Sequence, residues 1–466
     1  MKLDLYKYIY LIGIGGIGMS ALARYFRAKG KQVYGYDKVQ SALCKKLESE
    51  GIQVHYYEGE DHIPKCVREA TDNEVLVIYT PAVSTKNSEL NYFTKKGFQL
   101  HKRAKVLGMI SKQSFTIAVA GTHGKTTTST ILAHILQQAG KESTAFLGGI
   151  SKNYDTNLLF AKQGNILIVE ADEYDRSFLQ LYADIAIITS VDADHMDIYE
   201  NKSALKAAFF QFSSQVKPKG LLLVESSIEI DFPIPEGGVQ FTYSAKNKAD
   251  YYAENIKEQE GKMVFDMTGL DIIPGMAYQK KQEDLELQLP GIHNVSNSVA
   301  ALAVSYYLGL SCEDVANGLA TFKGIKRRFE KHIDTDKLVY IDDYAHHPKE
   351  VVATIDTTKQ LYPTRDLTVI FQPHLFSRTQ DFAKDFATSL SGADDLVLLD
   401  IYPAREKPII GIDSEMLLSL CNNPTKEVCS KDELLSVLKG KDLDVLLTLG
   451  AGDIETLVDP IKEMFN

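Results

Sequence analysis

The sequence predicts an α/β protein with mostly parallel sheets, organised as three domains. Its 466 residues fit three domains at the usual ~150 residues each. Short β-branched apolar runs alternate with segments whose apolar residues recur at helical spacing, which is typical of βαβ units. The hydrophobic fraction of 44% is ordinary for globular proteins, so each domain can bury its own core. We predict domains at 1–107, 108–325 and 326–466.

The composition restricts what the protein can bind. A net charge of −11 argues against a nucleic-acid or anionic-membrane surface, so polyanionic ligands must be met by local cations, helix N-termini and metal ions. The five cysteines lack C-x-x-C spacing, which favours reduced structural thiols. No apolar run reaches transmembrane length and the N-terminus has no signal-peptide layout. We therefore expect a soluble cytoplasmic protein that contacts no membrane and no nucleic acid.

The segment 114–140 contains a glycine-rich loop between a strand and a helix. Phe115–Ala120 is a β-branched apolar run that predicts a buried strand, and helical spacing follows from about Thr126 to Gln138. The loop between them, 121–126, reads GTHGKT. Glycines let backbone N–H groups approach an anion, and the helix N-terminus supplies partial positive charge.

This loop has the residues that bind a nucleoside triphosphate. Lys125 is expected to reach the β- and γ-phosphates, and the Thr126 hydroxyl is expected to ligate Mg²⁺. Only the second half of the full phosphate-loop pattern is present, because Val119 stands where the first glycine belongs. The predicted nucleotide-binding residues are Gly121, Thr122, His123, Gly124, Lys125, Thr126 and Thr127.

The N-terminal domain carries a second glycine-rich loop. A strand at Tyr8–Ile12, a helix over about Met19–Lys29 and a strand at Gln32–Tyr36 surround the fingerprint G-x-G-x-x-G, with Asp37 some twenty residues on. This arrangement suits a diphosphate and a ribose hydroxyl, which NAD and a nucleotide sugar both offer. The candidate binding residues are Gly13, Gly15, Gly16, Gly18 and Asp37. We interpret the basic stretch 101–105 that follows as a solvated charge run.

Acidic residues follow two predicted strands of the central domain. Asn165–Val169 leads to Glu170, and Ala183–Thr189 leads to a turn containing Asp192 and His195. Because ligands bind at the carboxyl ends of parallel strands, these side chains should face the same edge as Lys125. Mg²⁺ takes few protein ligands and prefers oxygen, which fits Thr126 and Glu170 with His195 as an additional ligand. Any one of these acids alone could equally cap a loop.

The rest of the central domain is less regular. Residues 226–289 predict short antiparallel pieces and loops, after which a helix runs to Leu308. His293 and Asn294 precede that helix, where they could cap it or present an imidazole and an amide to a purine ring.

The C-terminal domain has four predicted strands that each end in a polar or glycine-rich turn. The strands are Leu338–Ile341, Leu367–Phe371, Leu396–Leu399 and Val445–Leu449. The turns begin DDYAHHP, QPHLFSRT, DIYPARE and GAGD. Such turns are where an α/β domain presents a site.

Taken in order, these motifs resemble those of the Mur ligases of peptidoglycan precursor synthesis. The resemblance covers essentially the whole chain and rests on GIGGIGMS, GTHGKTTT, EADEYD, DADHMD, GIHNVSN, IKRRF, DDYAHHP, FQPHLFSRT, DIYPARE and TLGAGDI. It implies a Rossmann-like N-terminal domain for a UDP-sugar, a central P-loop-type ATPase domain, and a Rossmann-like C-terminal domain for an amino acid. The resemblance thereby replaces NAD with a UDP-sugar at the first loop.

The resemblance also implies a role for each motif residue. For ATP, Lys125 is implied to hold phosphates, Thr126, Glu170 and His195 to hold Mg²⁺, His293 and Asn294 to face the adenine, and Asp343 to lie near the ribose. Arg327 or Arg328 is implied to contact phosphate or the muramoyl end. The site for the amino acid and the reacting carboxylate is implied to be lined by His346, His347, His374 and Arg378. Which histidine takes the proton from the amine stays open.

The implied reaction is ATP-dependent amide formation between the carboxylate of UDP-N-acetylmuramate and L-alanine, through an acyl phosphate. Two features qualify it. Leu375 stands where many of the alanine-adding members have Arg, and Phe209 and Phe210 occupy the region where later ligases carry a carbamylated lysine. We therefore expect no carbamylated lysine. The expected oligomeric state is a monomer or a homodimer.

Three alternatives compete with this interpretation. A family member that joins a recycled tripeptide to the same sugar nucleotide usually differs at the FQPH stretch and at Arg378. An NAD-dependent dehydrogenase leaves Lys125, Glu170 and His195 without a role. A regulatory NTPase explains those three residues but leaves the C-terminal motifs without one.

Overall fold

The computed structural model describes residues 3–194, 198–199, 201–273, 276–404 and 406–465. It consists of three α/β units, each built on its own sheet, with five, ten and six strands. The predicted fold class is thus confirmed. Among the described residues, none of the helices is both long and apolar enough to cross a membrane.

The N-terminal sheet is entirely parallel, with the strand order β3-β2-β1-β4-β5. Its strands are β1 (Tyr8–Ile12), β2 (Gln32–Tyr36), β3 (Gln53–His55), β4 (Val75–Tyr79) and β5 (Leu100–Lys102). Its helices are α1 (Ile17–Ala28), α2 (Ala42–Ser49), α3 (Lys65–Arg68), α4 (Ser88–Lys95) and α5 (Arg103–Ser111). All five residues of the central strand β1 are buried, because helices cover both faces of a parallel sheet.

The central sheet has the order β15-β14-β13-β12-β11-β10-β6-β9-β7-β8. Its strands are β6 (Phe115–Ala120), β7 (Ser143–Ser151), β8 (Thr156–Leu159), β9 (Ile166–Ala171), β10 (Ile185–Ile188), β11 (Leu221–Glu225), β12 (Val239–Ser244), β13 (Tyr251–Gln259), β14 (Lys262–Ile273) and β15 (Met276–Leu287). Its helices are α6 (Lys125–Gln138), α7 (Lys202–Ser214), α8 (Ile292–Tyr307) and α9 (Cys312–Ala320).

The expectation of antiparallel strands at 226–289 was confirmed, but the expectation that they are short was wrong, since β14 and β15 are twelve residues each and pair as one antiparallel hairpin. The period-2 signal is present in the sequence. Met263, Phe265 and Met267 are buried at every second position of β14, with Val264 and Asp266 between them. The many charged residues around them hide this alternation.

The C-terminal sheet has the order β16-β17-β21-β18-β19-β20. Its strands are β16 (Glu330–Asp334), β17 (Val339–Asp343), β18 (Leu367–Phe371), β19 (Asp395–Leu399), β20 (Thr425–Cys429) and β21 (Val445–Leu449). Its helices are α10 (Pro348–Leu361), α11 (Phe376–Asp381), α12 (Ala383–Leu390), α13 (Ser414–Leu420), α14 (Leu434–Lys439) and α15 (Val458–Phe465). The two edge strands β16 and β20 were not predicted, and β16 is antiparallel to its neighbour.

The N-terminal domain buries a carboxyl group away from its glycine-rich loop. Glu89 on α4 is fully buried, and the Tyr10 hydroxyl donates to its Oε2 at 2.8 Å. The His55 Nε2 lies 3.5 Å from Oε1. Burial raises the pKa of Glu89 from 4.5 to about 7. Glu89 is therefore more readily protonated in the folded protein than in the unfolded chain.

We predict that Glu89 makes folding stability fall as pH rises from about 5 to 8. The folded state binds more protons than the unfolded state in this window, so stability is lost as pH rises through the folded pKa. Glu89→Gln should remove this dependence. The free energy of unfolding of the wild type minus that of the variant should therefore fall by roughly 3 kcal/mol between pH 5 and pH 8. Denaturant unfolding at both pH values measures it, with Glu69→Gln at an exposed position as the control. A constant difference between wild type and Glu89→Gln would contradict the prediction.

Candidate active site

The candidate site lies at the carboxyl edge of the central sheet, where β6, β9 and β10 end side by side. In the parallel register, Val119 of β6 pairs with Glu170 of β9, and Ala120 pairs with Ile188 of β10. These strands are apolar and mostly buried, so their register is fixed by the core. The edge therefore brings together the loop after β6, Glu170 and the turn that follows β10.

The loop at 121–126 is shaped by two glycines. Gly121 has a φ of +141°, and a Cβ there would lie 2.0 Å from the Thr189 hydroxyl oxygen. Gly124, with a φ of +82°, is the N-cap residue of α6. Among the described residues, no side chain caps α6 and no acidic residue lies in its first turn. A helix N-terminus left in this state suits an anion, as the sequence predicted.

Lys125 points across the loop. Its Nζ donates to Glu173 Oε2 at 2.7 Å and to the Gly121 carbonyl oxygen. Burial alone would lower the pKa of Lys125, but Glu173 and Asp172 outweigh it and raise that pKa. The lysine is therefore charged at neutral pH. Glu173 was not predicted, although it stands three residues after Glu170 in the same acidic motif.

Thr126 and Glu170 are in contact, as a shared metal site requires. The Thr126 hydroxyl donates to Glu170 Oε2 at 3.1 Å, and the Gly148 N–H donates to Oε1 at 2.6 Å. Burial raises the pKa of Glu170. The third predicted ligand, His195, lies outside the described residues. Within the described part of the chain no three His, Cys or acidic side chains form a metal cage.

Helix α8 packs against this loop. His293 and Asn294 lie in its first turn, and the Asn294 amide donates to the Pro290 carbonyl at 2.7 Å. Burial lowers the pKa of His293 to about 4, so its ring is neutral. Asn297, which was not predicted, accepts from the Thr128 hydroxyl at 3.3 Å.

The side chains of Arg327 and Arg328 have different surroundings. The Arg327 Nε donates to Asp342 at 2.9 Å and its Nη2 donates to the Gly450 carbonyl at 2.7 Å, so it is held within the C-terminal domain. Both guanidinium groups lie over the Tyr344 ring, but the charge of Arg328 also opposes the burial that raises the pKa of Glu170. Of the two, Arg328 is the one that faces the central site.

The Asp343 carboxylate is held by backbone groups. It accepts the N–H of Phe329 at 2.6 Å and the N–H of Ala345 at 2.8 Å. Burial raises the pKa of Asp343 to about 6. This carboxylate shapes the start of the C-terminal domain, and its contact with a ribose stays a prediction.

The predicted residues of the C-terminal loops form a cluster against the central domain. Arg378 Nη2 donates to Asp194 at 2.9 Å, and both side chains are buried. The Arg378 Nη1 lies 3.2 Å from His374 Nδ1, and the His374 and His346 ring centres are 6.1 Å apart. His347 N-caps α10 and contacts the Ala193 carbonyl through Nε2 at 3.2 Å. The C-terminal domain is therefore docked over the phosphate loop.

The N-terminal loop is joined to this site through Arg103. In the loop, the Gly15 N–H donates to Asp37 at 2.8 Å. A Cβ on Gly18 would lie 2.6 Å from Arg103 Nη1, and Arg103 Nη2 is 3.6 Å from Asp172. A cavity is lined by Arg103, Asp172 and Glu170 among others. Arg103 is thus an exception to the interpretation of 101–105 as a solvated run.

Comparison with known families agrees with this architecture. The Mur ligase family catalytic-domain model matches residues 8–115, the Mur ligase middle-domain model matches 119–305, and the Mur ligase glutamate ligase domain model matches 327–452. The chain belongs to the Mur ligase family and is an ATP-dependent ligase.

Individual relatives match over nearly the whole length. A UDP-N-acetylmuramate–L-alanine ligase from Parabacteroides distasonis is 48% identical, covering 98% of this chain and 96% of the relative. One from Porphyromonas gingivalis is 47% identical, covering 98% of each. The crystal structure of a UDP-N-acetylmuramate-alanine ligase from Thermotoga maritima has a TM-score of 0.80 at 28% identity, covering 98% and 99%. A murein peptide ligase from Psychrobacter arcticus shares the fold, with a TM-score of 0.70 at 24% identity, covering 98% of each chain.

We predict that Lys125→Ala lowers kcat by roughly 10²–10³, the usual effect of losing one preorganised electrostatic group. The buried ammonium is charged and lies at an uncapped helix N-terminus, where transferred phosphate would gather negative charge. ATP-dependent turnover of the purified variant measures it. Lys162→Ala, at an exposed position of the same domain, is the control. Near-normal turnover in Lys125→Ala would remove this loop from the mechanism.

Proposed function

We propose that this chain joins L-alanine to the carboxylate of UDP-N-acetylmuramate with the hydrolysis of ATP, in peptidoglycan precursor synthesis. The names of the full-length relatives support these substrates. The three units support a division of labour, in which 1–107 binds the UDP-sugar, 108–325 binds ATP and 326–466 brings the amino acid.

The observation that carries the proposal is the position of Arg103, which lies against Gly18 and 3.6 Å from Asp172, two residues after Glu170. Glu170 belongs to the phosphate-loop side, and Arg103 lies against Gly18 at the start of α1. A sugar acid whose diphosphate lies at that helix start would extend its carboxylate toward the γ-phosphate. Gly13, Gly15, Gly16 and Gly18 would hold the diphosphate, and Asp37 a ribose hydroxyl.

The chemistry requires activation of the carboxylate. A carboxylate does not accept an amine at neutral pH, because its oxygens are poor leaving groups. Transfer of the γ-phosphoryl group to the carboxylate makes an acyl phosphate, which the alanine amine attacks with release of phosphate. Both steps gather negative charge, which Lys125 and Arg328 would stabilise.

A magnesium ion fits the hydroxyl and carboxylate of Thr126 and Glu170, with His195 proposed as an additional ligand. Bound there, it would neutralise charge on the triphosphate. His293, Asn294 and Asp343 are proposed for the adenosine part of ATP. Phe209 is fully buried against Phe178, so the chain offers no lysine for a carbamate at that position.

The amino acid is proposed to bind between His346, His347, His374 and Arg378. Burial lowers the pKa of His346 to about 4 and also lowers the pKa of His347. Both rings are therefore neutral at pH 7, but a pKa of about 4 makes His346 a weak base for the alanine ammonium group, and the assignment of the proton acceptor stays open. His374 stays a third candidate. Leu375 supplies no cation, so Arg378 is the proposed partner of the alanine carboxylate.

The cytoplasm is the proposed compartment. The five cysteines are free thiols in the described structure, as a reducing compartment requires. A monomer or a homodimer is compatible with the proposal.

Phosphate release from ATP tests the proposed function. With UDP-N-acetylmuramate present, L-alanine should give fast release, whereas the tripeptide L-alanyl-γ-D-glutamyl-meso-diaminopimelate or no amino acid should give little. Faster release with the tripeptide would instead identify a tripeptide ligase. Consumption of NAD with no dependence on ATP would overturn the assignment of both loops.

We predict that Arg378→Lys raises the KM for alanine roughly tenfold or more, because an ammonium cannot bind a carboxylate in the bidentate way of a guanidinium. The KM for ATP should change much less. Arg365→Lys is the matched control, since Arg365 pairs with Asp444 elsewhere in the same domain. An unchanged KM for alanine in Arg378→Lys would exclude Arg378 from the amino-acid site.

A further inference from the structure

The phosphate loop reaches the C-terminal domain through His123. Its Nδ1 lies 3.1 Å from Glu350 Oε1, and its ring centre is 4.8 Å from that of His347. The side chains of His123 and Glu350 are only 18% and 16% exposed. The contact joins positions 227 residues apart, and it crosses between two domains.

Glu350 is held firmly on its own side of the contact. It is the third residue of α10 and completes a capping box with His347. Its Oε2 accepts the backbone N–H of His346 at 3.1 Å and that of His347 at 3.4 Å. One carboxylate oxygen therefore caps the helix, while the other faces His123.

His123 is equally tied to the loop backbone. Its N–H donates to the Ser190 hydroxyl at 2.8 Å, and its carbonyl accepts from the Thr189 hydroxyl. The other ring nitrogen, Nε2, lies 3.6 Å from Asp192. The position of the imidazole is therefore coupled to the backbone of the phosphate loop that precedes α6.

The charges of the two groups reinforce each other. Burial alone would lower the pKa of His123, but Glu350 and Asp192 outweigh it and raise that pKa. Burial alone would raise the pKa of Glu350, yet His346, His123 and Arg328 hold it well below its ordinary value. Both directions are those of an ion pair.

We propose that Glu350 is a positioning residue which, through His123, fixes the phosphate loop in its working conformation when the C-terminal domain docks. This inference rests on the proposed role of residues 121–127 in binding ATP. Phosphoryl transfer would then be efficient only when the C-terminal domain is docked on the central domain. The acyl phosphate would therefore form only when the alanine amine is positioned to attack it.

Glu350→Gln and Glu350→Ala separate this role from helix capping. Gln keeps an oxygen that can cap α10 but loses the negative charge, whereas Ala loses both. We expect Glu350→Gln and His123→Gln each to lower kcat about tenfold, as a modest misplacement of reacting groups does, with the KM for alanine nearly unchanged. The double variant should be no slower than either single one, because both remove the same interaction.

Lys349→Gln is the matched control. Lys349 is the neighbouring residue and also bridges the two domains, to Asp192 at 2.5 Å, but its side chain is 64% exposed. Such an exposed ion pair contributes little, so this variant should keep nearly normal kcat.

A second measurement isolates phosphoryl transfer. Positional exchange of ¹⁸O in labelled ATP, with UDP-N-acetylmuramate present and alanine absent, should slow in Glu350→Gln by the same factor as kcat. Normal kcat and exchange in Glu350→Gln, or single effects that multiply in the double variant, would overturn the inference. Failure of the wild type to release phosphate with UDP-N-acetylmuramate and alanine would instead overturn the proposed function.

Discussion

The parallel register of β6, β9 and β10 is the constraint on which the site depends. It aligns Val119 with Glu170 and Ala120 with Ile188, so the phosphate loop, the acid and the following turn meet at one edge. A slip of one residue would turn Glu170 to the other face of the sheet and away from Thr126. The buried apolar residues that fill these strands exclude that slip. Packing of the core therefore positions groups that never touch the core.

Two cations in the site, Lys125 and Arg378, are each held by a buried carboxylate. Lys125 contacts Glu173, and Arg378 contacts Asp194, in both cases with the acid almost fully buried. Removing one partner of such a pair leaves a buried charge uncompensated, which is strongly destabilising. The acids therefore keep the cations charged and oriented in a protein whose net charge is −11. This local pairing is how an acidic protein can offer a positive site to a polyanionic substrate.

Elements with a strong local signal were predictable from the sequence. The strands Tyr8–Ile12 and Phe115–Ala120 agree to the residue, because each is a run of β-branched, aromatic and other apolar residues, interrupted only by Thr116, that is followed at once by glycine. The loop motifs likewise identified Lys125, Thr126 and Glu170 as neighbours. Glu173 was missed although it stands in the same acidic motif as Glu170, whereas Glu350 was missed because its partner lies 227 residues away in another domain, which no local spacing encodes. Long-range pairing of this kind appears only once the domains are packed.

The same long-range pairs explain how docking and chemistry can be linked. Exposed bridges such as Lys349–Asp192 contribute little to holding the C-terminal domain on the central one. The buried Arg378–Asp194 pair is different, because separating it would expose two charges that are now shielded from water. Arg378 is also the proposed partner of the alanine carboxylate, so that carboxylate and Asp194 would share one guanidinium. Binding of the amino acid and docking of the domain that carries it then act on the same side chain, and neither can change without affecting the other.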